Sequence, residues 1–257
     1  MRSILVLGVL LCAACASKSE PSPAAPAEPH LTSELTLDKF TASYGAFSDG
    51  LKLDVFVVVI GDKLGFMRLA DGDTITVDVD GTSAPTTERI ENGKPTYVAS
   101  VSSPPSSPII TVTFARGAEK SVAKVQLGPS FALKTTPSAV KVGDVVSVDL
   151  DPPPDLAKWQ TIIGTKLRHV VMVDGDCIEG GTQSFTLCAK DSPQGTCNVS
   201  YPLSWDTSTM KLVAGSNGCK VDVSMRLETG NSTTWEGPFK GGMECVQHRN
   251  YSADLTK

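Results

Sequence analysis

The sequence is short of the side chains that carry most catalytic chemistry. It has three histidines, His30, His169 and His248. His30 falls in a Pro/Ala-rich stretch, so two remain to serve a nucleophile or a metal. No G-x-S-x-G elbow occurs, and Gly215-Ser216-Asn217-Gly218 reads as a turn. Cys245-Val246-Gln247-His248 has C-x-x-H spacing, but no second pair at metal-ligand spacing accompanies it, so no zinc site is expected. Basic charge is also scarce. With 23 Lys and Arg against 28 Asp and Glu, the net charge of −5 offers no cationic face to nucleic acid. No apolar run approaches the roughly 18 residues of a membrane-crossing helix. Cysteine is missing from residues 16 to 176. Nothing in this inventory calls for a cofactor.

What is present begins with the leader. Arg2 is followed by eight uncharged residues, Ile4 to Leu11, too short to cross a hydrocarbon core of about 30 Å but suited to the apolar region of a signal peptide. Leu11-Cys12-Ala13-Ala14-Cys15 follows. This resembles a bacterial lipobox, with Cys12 where Leu is usual. The resemblance implies a signal peptide over residues 1–14 and lipidation of Cys15, which would become the new N-terminus. Ordinary secretion, with cleavage after Ala16, is the alternative. Residues 15–33 then hold Pro21, Pro23, Pro26 and Pro29 among Ala, Ser and Glu. Such a segment cannot bury enough apolar surface to offset its ordering entropy. It reads as a disordered, stiff tether, rising about 3.1 Å per residue. A tether after an acylated cysteine would lift a folded domain off the bilayer. Ala16 and Ser17 lack an Asp retention signal, which by the same resemblance points to the outer membrane.

The remaining residues alternate with a period of two. Leu51, Leu53, Val55, Val57 and Val59 share one face, as do Ile75, Val77 and Val79, then Ile110, Val112 and Phe114, then Ala123, Val125 and Leu127. Gly, Pro and Asp bound these runs. The pattern predicts an all-β fold, with an antiparallel β-sandwich over 34–131 and a boundary near Gly128-Pro129-Ser130. Val146, Val148 and Leu150 open a second β-sandwich over 132–257. In it His169 to Val173, Phe185 to Cys188, Val199 to Leu203, Val221 to Leu227 and Met243 to Tyr251 read as strands. Leu156 to Ile163 reads as a short helical or irregular crossing.

Cys177, Cys188, Cys197, Cys219 and Cys245 all lie in the second region. An exported chain meets an oxidising compartment, so these are disulfide candidates. Cys188 with Cys197 could close a hairpin and Cys177 could pair with Cys219, leaving Cys245 free or bridging between chains. Asp71, Asp73, Asp78 and Asp80, and the pair Asp174 and Asp176, raise calcium as an alternative. An EF-hand starting at Asp78 fails, with Ser83 in place of Gly and Arg89 in place of Glu, and the carboxylates read as turn formers. Trp159, Trp205, Trp235 and Phe239 could form a binding strip, with Trp235 and Phe239 on a Gly/Pro-rich loop the most suggestive. The competing reading is that these rings fill the second core.

Leu69-Ala70-Asp71-Gly72-Asp73-Thr74, Thr111 to Arg116, Gly128 to Phe131, Gly175-Asp176-Cys177 and Cys219 to Val223 together resemble bacterial lipoproteins with paired immunoglobulin-like β-sandwich domains. The resemblance implies an envelope protein anchored in the lipid bilayer through Cys15. It would bind or scaffold an envelope protein or a glycan without catalysis, and it brings no activity to carry over. The rival expectation is a hydrolase with a carboxylate site in the second domain.

Overall fold

The computed structural model describes residues 28–155, 167–187, 201–229, 234–238 and 240–257. In chain order the strands begin with β1 (His30–Leu31). After two single-turn 3-10 helices (Thr32–Glu34, Leu37–Lys39) come β2 (Phe40–Ser48), β3 (Lys52–Gly61), β4 (Gly65–Arg68), β5 (Asp73–Val79), β6 (Thr82–Ala84), β7 (Thr86–Glu91), β8 (Lys94–Ser102), β9 (Ile109–Arg116) and β10 (Glu119–Gln126). The second half holds β11 (Ala132–Thr135), β12 (Ala139–Lys141), β13 (Val145–Asp151), β14 (Leu167–Asp174), β15 (Thr182–Leu187), β16 (Leu203–Asp206), β17 (Gly218–Thr229), β18 (Thr234–Glu236) and β19 (Lys240–Thr256). The fold class is all-β, as the alternation predicts. The expected crossing at Leu156 to Ile163 lies outside the described residues.

The strands form where apolar residues recur every second position and one face can be buried. β3 buries Leu53, Val55, Val57 and Val59, β5 buries Ile75, Val77 and Val79, and β9 buries Ile110, Val112 and Phe114. Each such side chain contributes about 1.5–3 kcal/mol when removed from water. The turns carry their own chemistry: Gly72, Gly81, Gly93 and Gly117 take positive φ between these strands, a conformation that costs glycine little.

One large sheet of eleven strands runs β1-β4-β3-β2-β19-β17-β14-β15, with β8 and β7 joined through β3, and β12 beside β19. Two smaller sheets cover its inner face, β18-β10-β9-β5-β6 over one half and β11-β13-β16 over the other. They enclose two cores. The first draws on residues from Leu37 to Leu127, plus Cys245. The second draws on residues from Phe131 to Leu255.

β19 joins the halves. Its first part runs parallel to β2, from Lys240 opposite Thr41 to Gln247 opposite Ser48. Its second part runs antiparallel to β17, from Cys245 opposite Thr229 to Thr256 opposite Gly218. β18 crosses over as well, pairing Trp235 with Ala123 of β10. Residues 234–247 thus complete both sheets of the first sandwich, although they follow most of the second in sequence.

Candidate functional site

β19 presents different chemistry on its two faces because its side chains alternate. Inward lie Cys245, Gln247, Arg249, Tyr251, Ala253 and Leu255. Between the cores this row is polar. Gln247 is buried, and its Nε2 donates to the carbonyls of Gly128 at 3.1 Å and Ser106 at 3.4 Å. The Arg249 guanidinium lies 5.1 Å from the Phe131 ring centre. It also fills the space beside Gly50, where a Cβ would stand 2.2 Å from Nη2. In register with Gln247 across Leu227 is His169. It is fully buried, with Nε2 2.9 Å from the Tyr201 hydroxyl and its ring edge-on to Phe131. Burial pushes the His169 pKa down to about 4, against a small opposing contribution from the backbone at Arg226.

The outer face of the same strands forms a trough of about 480 Å³, within the range of ligand sites. Three cross-strand rows make its floor. Asp174 of β14 stands opposite Asp222 of β17, which faces Ser252 of β19. The next row is Met172, Ser224 and Asn250, and the third is Val170, Arg226 and His248. Phe47 rises at the β2 side, with its ring folded over Gly45 and edge-on to Phe56 at 5.8 Å.

The trough is electrically divided. At one end Asp174 accepts from Thr182 Oγ1 at 3.1 Å and Asp222 from Ser252 Oγ at 2.7 Å. At the other, Arg226 Nε reaches Ser224 Oγ at 3.4 Å and makes no ion pair among the described residues. Half-burial lowers the His248 pKa. Asp49 opposes the shift, and the guanidiniums of Arg226 and Arg249 reinforce it. Two rows, or about 13 Å of strand, separate the acidic end from the cationic end.

A wider depression of about 760 Å³ lies where the N-terminal segment meets the first sandwich. Arg68, Asp73, Glu88 and Tyr97 in its lining are already engaged. Arg68 forks onto Glu88, which also accepts from the Tyr97 hydroxyl. Arg116 pairs with Asp73 at 2.6 Å and donates to the carbonyls of Thr32 and Leu35, each at 2.7 Å. Burial would raise the Asp73 pKa, but hydrogen bonds from Arg116 and Thr32 outweigh it and hold the carboxyl below its usual value. This clasp ties residues 32–35 to β5 and β9.

The residues singled out from sequence are dispersed. Cys177 and Cys219 form a disulfide with Cα atoms 5.6 Å apart. Cys245 is a free thiol buried in the first core, its pKa pushed up to about 12 by burial and, to a lesser degree, by Glu244. That position withdraws it from any bridge to a second chain. Cys15, Cys188, Cys197, Trp159 and Phe239 lie outside the described residues. Trp235 sits on β18, an edge strand of the first sandwich, and Trp205 is buried in the second core. Asp78 serves a turn, accepting from Gly81 N, whereas Asp80 accepts from Ile109 N at the start of β9 and Asp73 pairs with Arg116. Phe47, Met172, Arg226 and Asn250 were missed. The alternation of Asp222, Ser224, Arg226 and Glu228 marks an outward face, but the register that sets Arg226 beside His248 is absent from any single strand's sequence.

No protein-family model matches the chain, and no curated protein matches it. Among solved structures it is similar to tandem immunoglobulin domains of titin. A chimeric titin Z1Z2-Z1Z2 tandem is 11% identical, over 85% of this chain and 95% of that one, with a TM-score of 0.22. The titin Ig tandem domains A164-A165 are 8% identical, over 85% and 93%, with a TM-score of 0.23. At these scores the overlap adds nothing to the strand order and cores described above.

Proposed function

We propose that this chain is a lipoprotein of the bacterial cell envelope, held in the outer membrane by acylated Cys15, that binds or scaffolds a partner through the outer face of its shared sheet. The carrying observation is the trough: an open, mixed apolar and polar surface built on strands from both halves, with a guanidinium on its floor, that of Arg226, which makes no ion pair among the described residues. Anchoring rests on the lipobox resemblance and the Pro/Ala-rich tether, because stable insertion takes more than one acyl chain and an acylated cysteine supplies them.

Cross-linking on intact cells, followed by mass spectrometry, tests the reading with the native chain, Cys15→Ser and Arg226→Glu. A partner captured by the native form and lost with either substitution supports it. A partner captured equally by all three forms overturns it.

The hydrolase reading draws on Asp174 and Asp222, two carboxylates directly opposite on neighbouring strands. Both accept hydroxyl hydrogen bonds, and His248 stands two rows away rather than beside them. Product release lost in Asp222→Asn would favour hydrolysis, whereas capture without turnover favours binding.

A further inference from the structure

Resting on the reading of the trough as the binding surface, we propose that its occupant is an extended peptide. It adds a short strand to β19 between the end of β2 and the start of β12, with an acidic side chain toward Arg226 and a basic one toward Asp222.

The first observation is a gap in the sheet. On its β17 side, β19 is paired without a break from Cys245 to Thr256. On its other side, β2 covers it only as far as Gln247, opposite Ser48, and β12 begins at Asp254, opposite Ala139. Among the described residues no strand faces 248–253 there. Asn250 and Ser252 are exposed in this stretch, and the trough lies along it, with His248 and Asn250 in its lining.

The second is the direction of the backbone groups. The Asp254 N–H donates to the Ser138 carbonyl, and the Thr256 carbonyl accepts from the Val142 N–H, each at 2.9 Å and both on the β12 side. The register with β17 has no shift, so every second residue of β19 repeats that orientation. Ser252 and Asn250 therefore turn their N–H and C=O groups into the gap, while Arg249 and Tyr251 turn theirs to β17. The His248 carbonyl is taken by Arg249 Nη1 at 2.5 Å. No described residue bonds the backbone of Asn250 or Ser252 on the gap side. Two donors and two acceptors at strand spacing match the backbone of another strand, the mode by which a peptide adds to a sheet edge.

The third is the side chains that flank the gap. On the inner side the Arg249 guanidinium lies over Phe131 and beside Gly50, so the inward residues of an added strand must be small. On the outer side Arg226 stands opposite His248 and Asp222 opposite Ser252. Arg226 makes no ion pair among the described residues. The two charges are four residues apart on β17, which equals four residues along an added strand, about 13 Å. An outward Glu and an outward Lys at that spacing lie about 10 Å from β17, near enough for their long side chains to reach it.

The test uses the full-length chain in detergent micelles and residue-resolved amide hydrogen exchange. In the chain alone, the amides of Asn250 and Ser252 should exchange at least about a hundredfold faster than those of Arg249 and Tyr251. Equal protection of all four would mean that the gap is already filled, and protection that grows with protein concentration would mean that a second copy fills it; either overturns the proposal. End-capped Glu-Ser-Thr-Ser-Lys and its reverse, Lys-Ser-Thr-Ser-Glu, are then compared with neutral Gln-Ser-Thr-Ser-Gln. One of the charged pair should slow exchange at Asn250 and Ser252 and bind at least about fivefold more tightly than the neutral peptide, as for two exposed charge contacts; which one binds reports the direction of the added strand. Arg226→Glu should erase that preference. Asn250→Pro removes an N–H aimed at the gap and no bond to β17, so it should abolish binding and retain the melting temperature. No protection by any peptide, equal binding of all three, or indifference to both substitutions overturns the proposal. In cells, an Arg226-dependent cross-link that survives Asn250→Pro would remove strand addition and keep the trough as the binding surface, whereas a cross-link indifferent to Arg226→Glu would remove the underlying reading.

Discussion

His169 shows how one buried residue sets a pH response. Its pKa falls from 6.5 to about 4 on burial. Between those values the unfolded chain takes up a proton that the folded chain refuses. The stability contributed by the neutral ring is therefore complete above pH 6.5 and is lost as pH falls through 4, by about 3 kcal/mol in all. Urea unfolding of the native chain and of His169→Phe, at pH 7 and pH 4.5, should show the native chain losing more stability than the variant. Equal losses would assign the acid sensitivity elsewhere. Cys177 and Cys219 act through the unfolded state instead. Their bridge closes a 42-residue separation, which in the chain-entropy model corresponds to about 4 kcal/mol. Replacing both by Ser should lower the denaturant midpoint correspondingly without changing the trough. The sequence placed Cys177 and Cys219 among several pairing candidates, and what selects the pair is the fold, which sets the turn after β14 beside the start of β17. The burial of Cys245 was not legible in the sequence, because its neighbours Ala46 and Val55 come from strands some 200 positions earlier.

At the scale of elements, legibility followed side-chain size. β3, β5, β9, β14 and β17 announce themselves by alternating Val, Ile, Leu and Phe. β2 escaped notice because its buried face, Phe40, Ala42, Tyr44, Ala46 and Ser48, is half small or polar, which is weak as a hydrophobic signal and necessary for packing beside β19. Parallel pairing of β2 with β19 leaves no trace in either segment alone. The closeness of that pair can be tested at Gly241. A Cβ there would stand 1.8 Å from the Ala42 carbonyl oxygen, so Gly241→Ala must push the two strands apart. A loss of about 3 kcal/mol is expected, toward the upper end of single substitutions, read as a lower melting temperature. An unchanged melting temperature would mean that the strands do not meet there.

At the scale of the whole molecule, the two sandwiches share one sheet. The boundary at residues 128–131 separates the cores but not the sheets, because residues 234–247 return to the first half. A fragment spanning 28–131 lacks β18 and β19 and should remain unfolded by circular dichroism, while the full chain unfolds in one transition. A folded fragment would show that β19 is an accessory to the first sandwich rather than part of it. The expected anchoring is tested at the same scale. Cys15→Ser should abolish lipid labelling and membrane retention, and retention unchanged by this substitution would exclude the anchor.

The partnership of β2 and β19 also sets an order of events. Thr41 meets Lys240, 199 positions away, and such distant pairings form late. A chain made from its N-terminus holds the first sandwich open, with β2 bare on one edge, until residues 240–247 have emerged. The second half is thus synthesised while the first waits unfinished. During that interval the bare edge is exposed to proteases and to pairing with other nascent chains, so a holding chaperone would protect this protein more than one whose halves close in sequence order.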